Sequence, residues 1–183
     1  MVLKVILGVI LVLVLAIVGL AVAVSMQGED LKVSRSITMN APPEKPYEQV
    51  NEFQKWAAWS PWAKMDPTMQ LSLGGPPAGV GSTYAWAGND EVGEGKMTIM
   101  ESQSAKHVKI DLQFFKPFES ANISEFTFVP EGNATNVTWT MSSKKNFVMK
   151  AMCMVMDIDA MIGTDFEKGL ASMKAIVEAP PAS

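Results

Sequence analysis

Residues 5–24 form an unbroken apolar run of eighteen Val, Ile, Leu or Ala plus Gly8 and Gly19. At 1.5 Å per helical residue, that run covers the roughly 30 Å hydrocarbon core of a bilayer. The pattern predicts a membrane-spanning anchor over 1–26, then a polar linker over 27–31. The competing reading is a cleaved signal peptide, with Lys4 as its basic start and Ala21-Val22-Ala23 as a small-residue cleavage site. Twenty apolar residues exceed the usual 7–15 residue core of such a peptide, which favours the anchor. The short basic start also favours an N-terminus inside and a domain outside the cytoplasm.

From residue 32 the period is two, then helical, then two again. Residues 32–39 alternate as a strand, Asn40-Ala41-Pro42-Pro43 stops it, and 44–53 place Tyr47, Val50 and Phe53 at helical spacing. The connector Trp56-Ala57-Ala58-Trp59-Ser60-Pro61-Trp62 follows. Six further strands are predicted over 68–73, 82–87, 95–101, 106–115, 121–129 and 135–143, separated by Gly-, Pro- and Asn-rich turns. Alternation is clearest over 106–115, where Val108, Ile110, Leu112 and Phe114 share one face and His107, Lys109, Asp111 and Gln113 the other. Beyond Asn146, a candidate N-cap, the period is helical to the C-terminus. Thr164-Asp165-Phe166-Glu167 has the form of a capping box, which predicts two helices parted near Gly163.

This order predicts an α+β domain over 32–179: a curved antiparallel sheet of about seven strands around a long C-terminal helix, the only element long enough to cover its apolar face. A curved sheet gripping one helix leaves room for a cavity between them.

Composition narrows the class. The chain of 183 residues is 48% hydrophobic, but without the first 24 residues that share falls to about 42%, an ordinary soluble value. Lys4 leaves with that segment, so the remainder carries 14 basic and 19 acidic side chains. Such a domain lacks the clustered positive charge that nucleic-acid binding needs. One cysteine, Cys153, and one histidine, His107, exclude a disulfide framework and a Cys- or His-rich metal centre within one chain.

Four segments carry a resemblance to a known family. They are Asn40-Ala41-Pro42-Pro43-Glu44, the Trp56 to Trp62 connector, Gly79-Val80-Gly81-Ser82-Thr83-Tyr84-Ala85-Trp86, and Phe166-Glu167-Lys168-Gly169-Leu170-Ala171-Ser172-Met173-Lys174. Through them, residues 32–178 resemble the START-like helix-grip superfamily, specifically its polyketide cyclase/dehydrase and lipid-transport (SRPBCC) group. The resemblance implies the helix-grip fold. It leaves function open among lipid carriers, cyclases and co-chaperones.

The inner phase of the strands predicts the cavity lining: Tyr84, Trp86, Met97, Ile110, Leu112, Phe114, Phe126 and Trp139, with Met156 and Phe166 from the C-terminal helices. Asn122 is a further polar group on that phase. Trp59 and Trp62 either rim the cavity mouth or anchor the connector to the sheet. The methionines Met149, Met152, Met154, Met156 and Met161 line an adaptable apolar site or pack an ordinary core. They do not share one helical face, so some are expected against a bilayer, a partner or solvent. His107 falls on the wet phase, Cys153 has no base beside it and is expected as a small buried hydrophobe, and the acidic loop Asn89-Asp90-Glu91 with Glu94 reads as a solvated turn. No catalytic residue, cofactor or metal is assigned. The expectation is membrane-anchored binding of an apolar small molecule or lipid. A cyclase- or dehydratase-type enzyme and a co-chaperone-like interaction module are the alternatives, and no protein partner is named.

Overall fold

The computed structural model describes residues 2–180. They form two compact units, one built from 31–143 with 159–180, the other from 2–30 with 144–158.

The larger unit is a seven-stranded sheet with one long helix. Its strands are β1 (Asp30–Met39), β2 (Gln70–Gly74), β3 (Thr83–Ala87), β4 (Glu94–Gln103), β5 (His107–Lys116), β6 (Ser120–Glu131) and β7 (Ala134–Lys144). Their order across the sheet is β1-β7-β6-β5-β4-β3-β2, and β2 to β7 pair antiparallel with their sequence neighbours. All seven strands stand where the two-residue period predicts them. Val108 and Ile110 of β5 are buried, while His107 and Lys109 face outward, each 3.4 Å from a carboxylate of a neighbouring strand, Glu125 and Glu101. A register shift between Ile99 and Glu101 lets Met100 bulge outward, a device that bends a sheet.

Between β1 and β2 the chain makes α2 (Glu44–Asn51) and the short α3 (Trp56–Trp59). Two indoles tie these together: Trp56 Nε1 donates to the Val50 carbonyl at 2.9 Å and Trp59 Nε1 to the Gln49 carbonyl at 3.0 Å. Thr135 Oγ1 donates to the Ala41 carbonyl at 2.7 Å and so fixes the turn after β1 to β7.

The C-terminal helix α5 (Ile158–Val177) buries Phe166, Leu170, Met173 and Val177 at alternating four- and three-residue spacing. It does not break at Gly163, as the capping-box pattern predicts. Thr164 Oγ1 instead donates to the Ala160 carbonyl within the helix, at 2.7 Å. Gly163 is there for space: a Cβ would overlap the Arg35 guanidinium. That group pairs with Asp159 and Glu167 on α5, both at 2.9 Å, and clamps β1 to the helix. The actual interruption comes earlier, at Met156, which is extended with φ −130° and ψ 138°.

The smaller unit contains α1 (Val2–Ser25) and α4 (Phe147–Val155). Asn146 caps α4, its side chain accepting the Met149 N–H at 2.8 Å. The two helices pack together. Within α1 only Ala21 and Val24, three residues apart, are withdrawn from solvent, so the contact lies at its last turn. Lys144 Nζ lies 2.6 Å from the Asp30 carboxylate, and the Lys145 N–H donates to the Glu29 carbonyl at 2.7 Å. Cys153 is half-buried on α4 rather than enclosed.

Candidate functional site

The concave face of the sheet has two different halves. Under α5, aromatic rings occupy the interior. Trp139 stacks on Phe166 with centroids 4.0 Å apart and planes 5° from parallel, and Phe126 stacks on Trp139 at 4.8 Å. Trp59 meets both Phe126 and Trp139 edge-on, at 6.1 and 5.6 Å. Trp139 Nε1 donates to the buried Ser124 hydroxyl at 2.9 Å. Trp62 is half-buried and approaches Trp139 and Phe166 edge-on. Trp59 is therefore an anchor of the connector rather than a rim residue, while Trp62 sits beside it nearer solvent.

The other half, from β2 to β5, is less covered. Register places Leu71 and Leu73 of β2 beside Trp86 and Tyr84 of β3, then Gly95 and Met97 of β4, and Phe114 and Leu112 of β5. Leu71 and Leu73 remain 46% and 48% exposed, and Trp86, Leu112 and Phe114 are half-buried, so the face is apolar but incompletely closed. The Trp86 ring lies across Gly95, where a Cβ would overlap it, and meets Phe114 edge-on at 5.5 Å. Its Nε1 donates to the Val92 carbonyl at 3.0 Å, which fixes the ring.

Two polar groups point into this region. Asn122, opposite Leu112, is buried and donates from Nδ2 to the Leu112 carbonyl at 3.3 Å and to Ser120 Oγ at 3.2 Å. Tyr84 is 6% exposed, packed against Phe53 at 5.8 Å and Trp56 at 6.4 Å. Its hydroxyl has no hydrogen-bond partner among the described residues. Every fully enclosed side-chain nitrogen or oxygen among those residues does have one, so the Tyr84 hydroxyl reaches open space at the edge of an apolar surface. Burial pushes its phenol above the ordinary tyrosine range, and any tyrosine phenol is a neutral donor near pH 7.

Of the predicted lining residues, Tyr84, Trp86, Met97, Leu112 and Phe114 come together on the open half. Tyr84 and Met97 also join one buried cluster with Ile110, Phe126, Trp139, Phe166 and Trp59, against which Trp62 packs. Met156 belongs to the smaller unit and is 40% exposed. Leu71 and Leu73 went unremarked in the sequence because β2 is short. Their shared phase with Tyr84 and Trp86 becomes visible only with the strand register.

Asp66 is a second residue that the pattern does not reveal. It is buried, and it accepts from Thr68 Oγ1 at 2.7 Å, the Thr68 N–H at 2.8 Å and the Asn89 N–H at 2.8 Å. Chiefly the Thr68 hydroxyl, then the Asn89 amide, holds its carboxyl below the usual range. It braces the β3–β4 turn. In that turn Asn89 Oδ1 accepts the Glu91 and Val92 N–H groups. Among the described residues no three His, Cys, Asp or Glu side chains group as metal ligands.

A curved antiparallel sheet gripping a C-terminal helix, with an apolar concave face, defines the helix-grip class. The family model for polyketide cyclase / dehydrase and lipid transport matches residues 30–178, and the chain belongs to that family. A search of curated protein sequences finds no match. Among solved structures, the chain is similar to the Aha1 dimer from Colwellia psychrerythraea, with 20% identity and a TM-score of 0.58 over 83% of this chain and 99% of that one. The ginseng (Panax ginseng) major latex-like protein 151 is similar at 15% identity and TM-score 0.59, over 83% and 100%. A Staphylococcus aureus protein of unknown function gives 15% and 0.60, over 82% and 94%. At these identities the likeness establishes the fold.

Proposed function

We propose that this chain binds an apolar small molecule or lipid on the open half of its concave face and presents it at a membrane to which α1 anchors it. The observation that carries the reading is the buried Tyr84, its hydroxyl unpartnered among the described residues and set in a surface of Leu, Trp, Met and Phe. A hydroxyl that reaches open space at the edge of an apolar surface is free to pair with a polar group brought to it, and ligand sites are apolar with a few placed polar groups. A molecule with a hydrocarbon body and one hydrogen-bonding group supplies what both features lack. The family's lipid-transport members support the same reading.

The anchor is supported by the half-burial of Ala21, in the turn of α1 that meets α4. Cleavage after Ala23 would strip α4 of its helical partner. A domain outside the cytoplasm follows from the basic N-terminal start, and reporter fusions at either end test it.

The binding test uses the full chain in nanodiscs, titrated with cis-parinaric acid and with a matched hydrocarbon lacking the carboxyl group. Saturable one-to-one uptake of the acid is expected. In Y84F the acid should bind about 3–10-fold more weakly, the worth of one net hydrogen bond, while the hydrocarbon is unaffected. Absence of saturable uptake beyond that of empty nanodiscs would overturn the reading.

A further inference from the structure

The solvent side of α4 is apolar from end to end. Phe147, Val148, Met154 and Val155 are 55%, 53%, 42% and 83% exposed. With Ala151 they occupy positions i, i+1, i+4, i+7 and i+8, which fall on one face of a helix. The opposite face, with Met149, Met152 and Cys153, is half-buried. A water-exposed surface helix normally has the reverse arrangement, polar outward.

We infer that α4 lies in the interface of the same bilayer that α1 crosses, with the Phe147 to Val155 face among the acyl chains. The inference rests on the anchor reading of α1, and two observations select a lipid surface as the occupant. First, α4 packs on the last turn of α1, at Ala21 and Val24. A helix of 24 residues is about 36 Å long and exceeds a hydrocarbon core of roughly 30 Å, so about one turn emerges. The apolar run ends at Val24, so the Ala21–Val24 contact holds α4 at the edge of the acyl region, the depth at which amphipathic helices lie in a membrane. Second, Lys145 and Lys150 flank the apolar face, and long basic side chains reach lipid phosphates from that depth. The methionines of α4 suit the site, being flexible enough to pack against disordered chains.

The test places a polarity-sensitive fluorophore at V148C or V155C, in a C153S background, in the full chain reconstituted in phosphatidylcholine–phosphatidylglycerol vesicles. Both positions are exposed, so neither substitution removes a packing contact. At both sites, quenching by lipids spin-labelled near the headgroup should exceed quenching by aqueous iodide at least threefold. Carbonate extraction at pH 11 is run on the same vesicles. A chain that resists extraction while its labels are quenched by iodide and not by lipid retains the anchor and overturns the α4 proposal. A chain released by carbonate overturns the anchor reading, and the α4 proposal with it.

Discussion

Single hydrogen bonds carry much of the specificity in the interior. Trp139 sits between Phe126 and Phe166, and its one polar atom is spoken for by Ser124. S124A keeps the shape but strands a buried indole N–H, which costs about 1–3 kcal/mol, read as a lower urea midpoint with unchanged slope. Tyr84 is the opposite case, a buried ring whose hydroxyl reaches open space with no partner among the described residues. In a Y47F background it is the sole tyrosine, so its ionisation is read directly at 295 nm. It should lag behind the ordinary phenol range near pH 10, because burial raises it. The stability linked to that neutral phenol is fully present below pH 10 and is lost as pH rises through the raised folded value. At this scale the sequence is only partly readable. Alternation put Tyr84, Trp86, Met97 and Leu112 on the inner phase, but phase does not distinguish a filled interior from an open one. Trp59 and Phe126 share the apolar character of Trp86 and Phe114, yet they are enclosed because α3 and α5 happen to cover them.

At the scale of elements, α5 approaches the connector so closely that a side chain at Gly169 would press on its neighbours. A Cβ there would lie 3.0 Å from Trp139 and 3.2 Å from Pro61. Replacing glycine inside a helix ordinarily gains up to about 1 kcal/mol. In G169L the overpacking cost of about 1–3 kcal/mol wins, so the variant should melt lower and lose near-ultraviolet circular dichroism from the stacked tryptophans. An unchanged melting temperature would mean that α5 is not seated as described. Strands were legible to within two residues at each end, because a sheet with one wet face imposes a strict two-residue period. Helix ends were less so. Thr164 and Glu167 match a capping box, but the same residue types serve inside a helix, Thr164 bonding back to Ala160 and Glu167 pairing with Arg35. What decides between these is a residue 128 positions away, Arg35 filling the notch at Gly163.

For the whole molecule, acid should be the weak flank. Asp66 and Glu178 both have carboxyls held below their ordinary range, Asp66 first by the Thr68 hydroxyl and Glu178 first by the Asn40 amide and then by Lys174. Below the usual carboxylate values near 4, the unfolded chain binds these protons more readily than the folded one. Stability is therefore complete above about pH 5 and falls as pH drops through the lowered folded values. D66N should flatten that decline between pH 5 and 3 in urea melts, while lowering stability at pH 7, where the carboxylate otherwise accepts three hydrogen bonds. An unchanged acid slope would remove Asp66 from this role. The division into two units was the least legible feature of the chain. Residues 144–158 have an ordinary helical period, and nothing in that period announces that they join the N-terminal helix.

The joining of residues 2–30 with 144–158 also sets a timetable for biogenesis. A ribosome adding about 5–20 residues per second makes α1 first, then takes on the order of 6–25 s to deliver the segment that packs on it. During that interval the last turn of α1 has no partner from α4. Docking of α4 is then a closing event. It joins a late-made segment to the earliest, and any nascent chain stalled before residue 144 is left with α1 and no helix to pack on it.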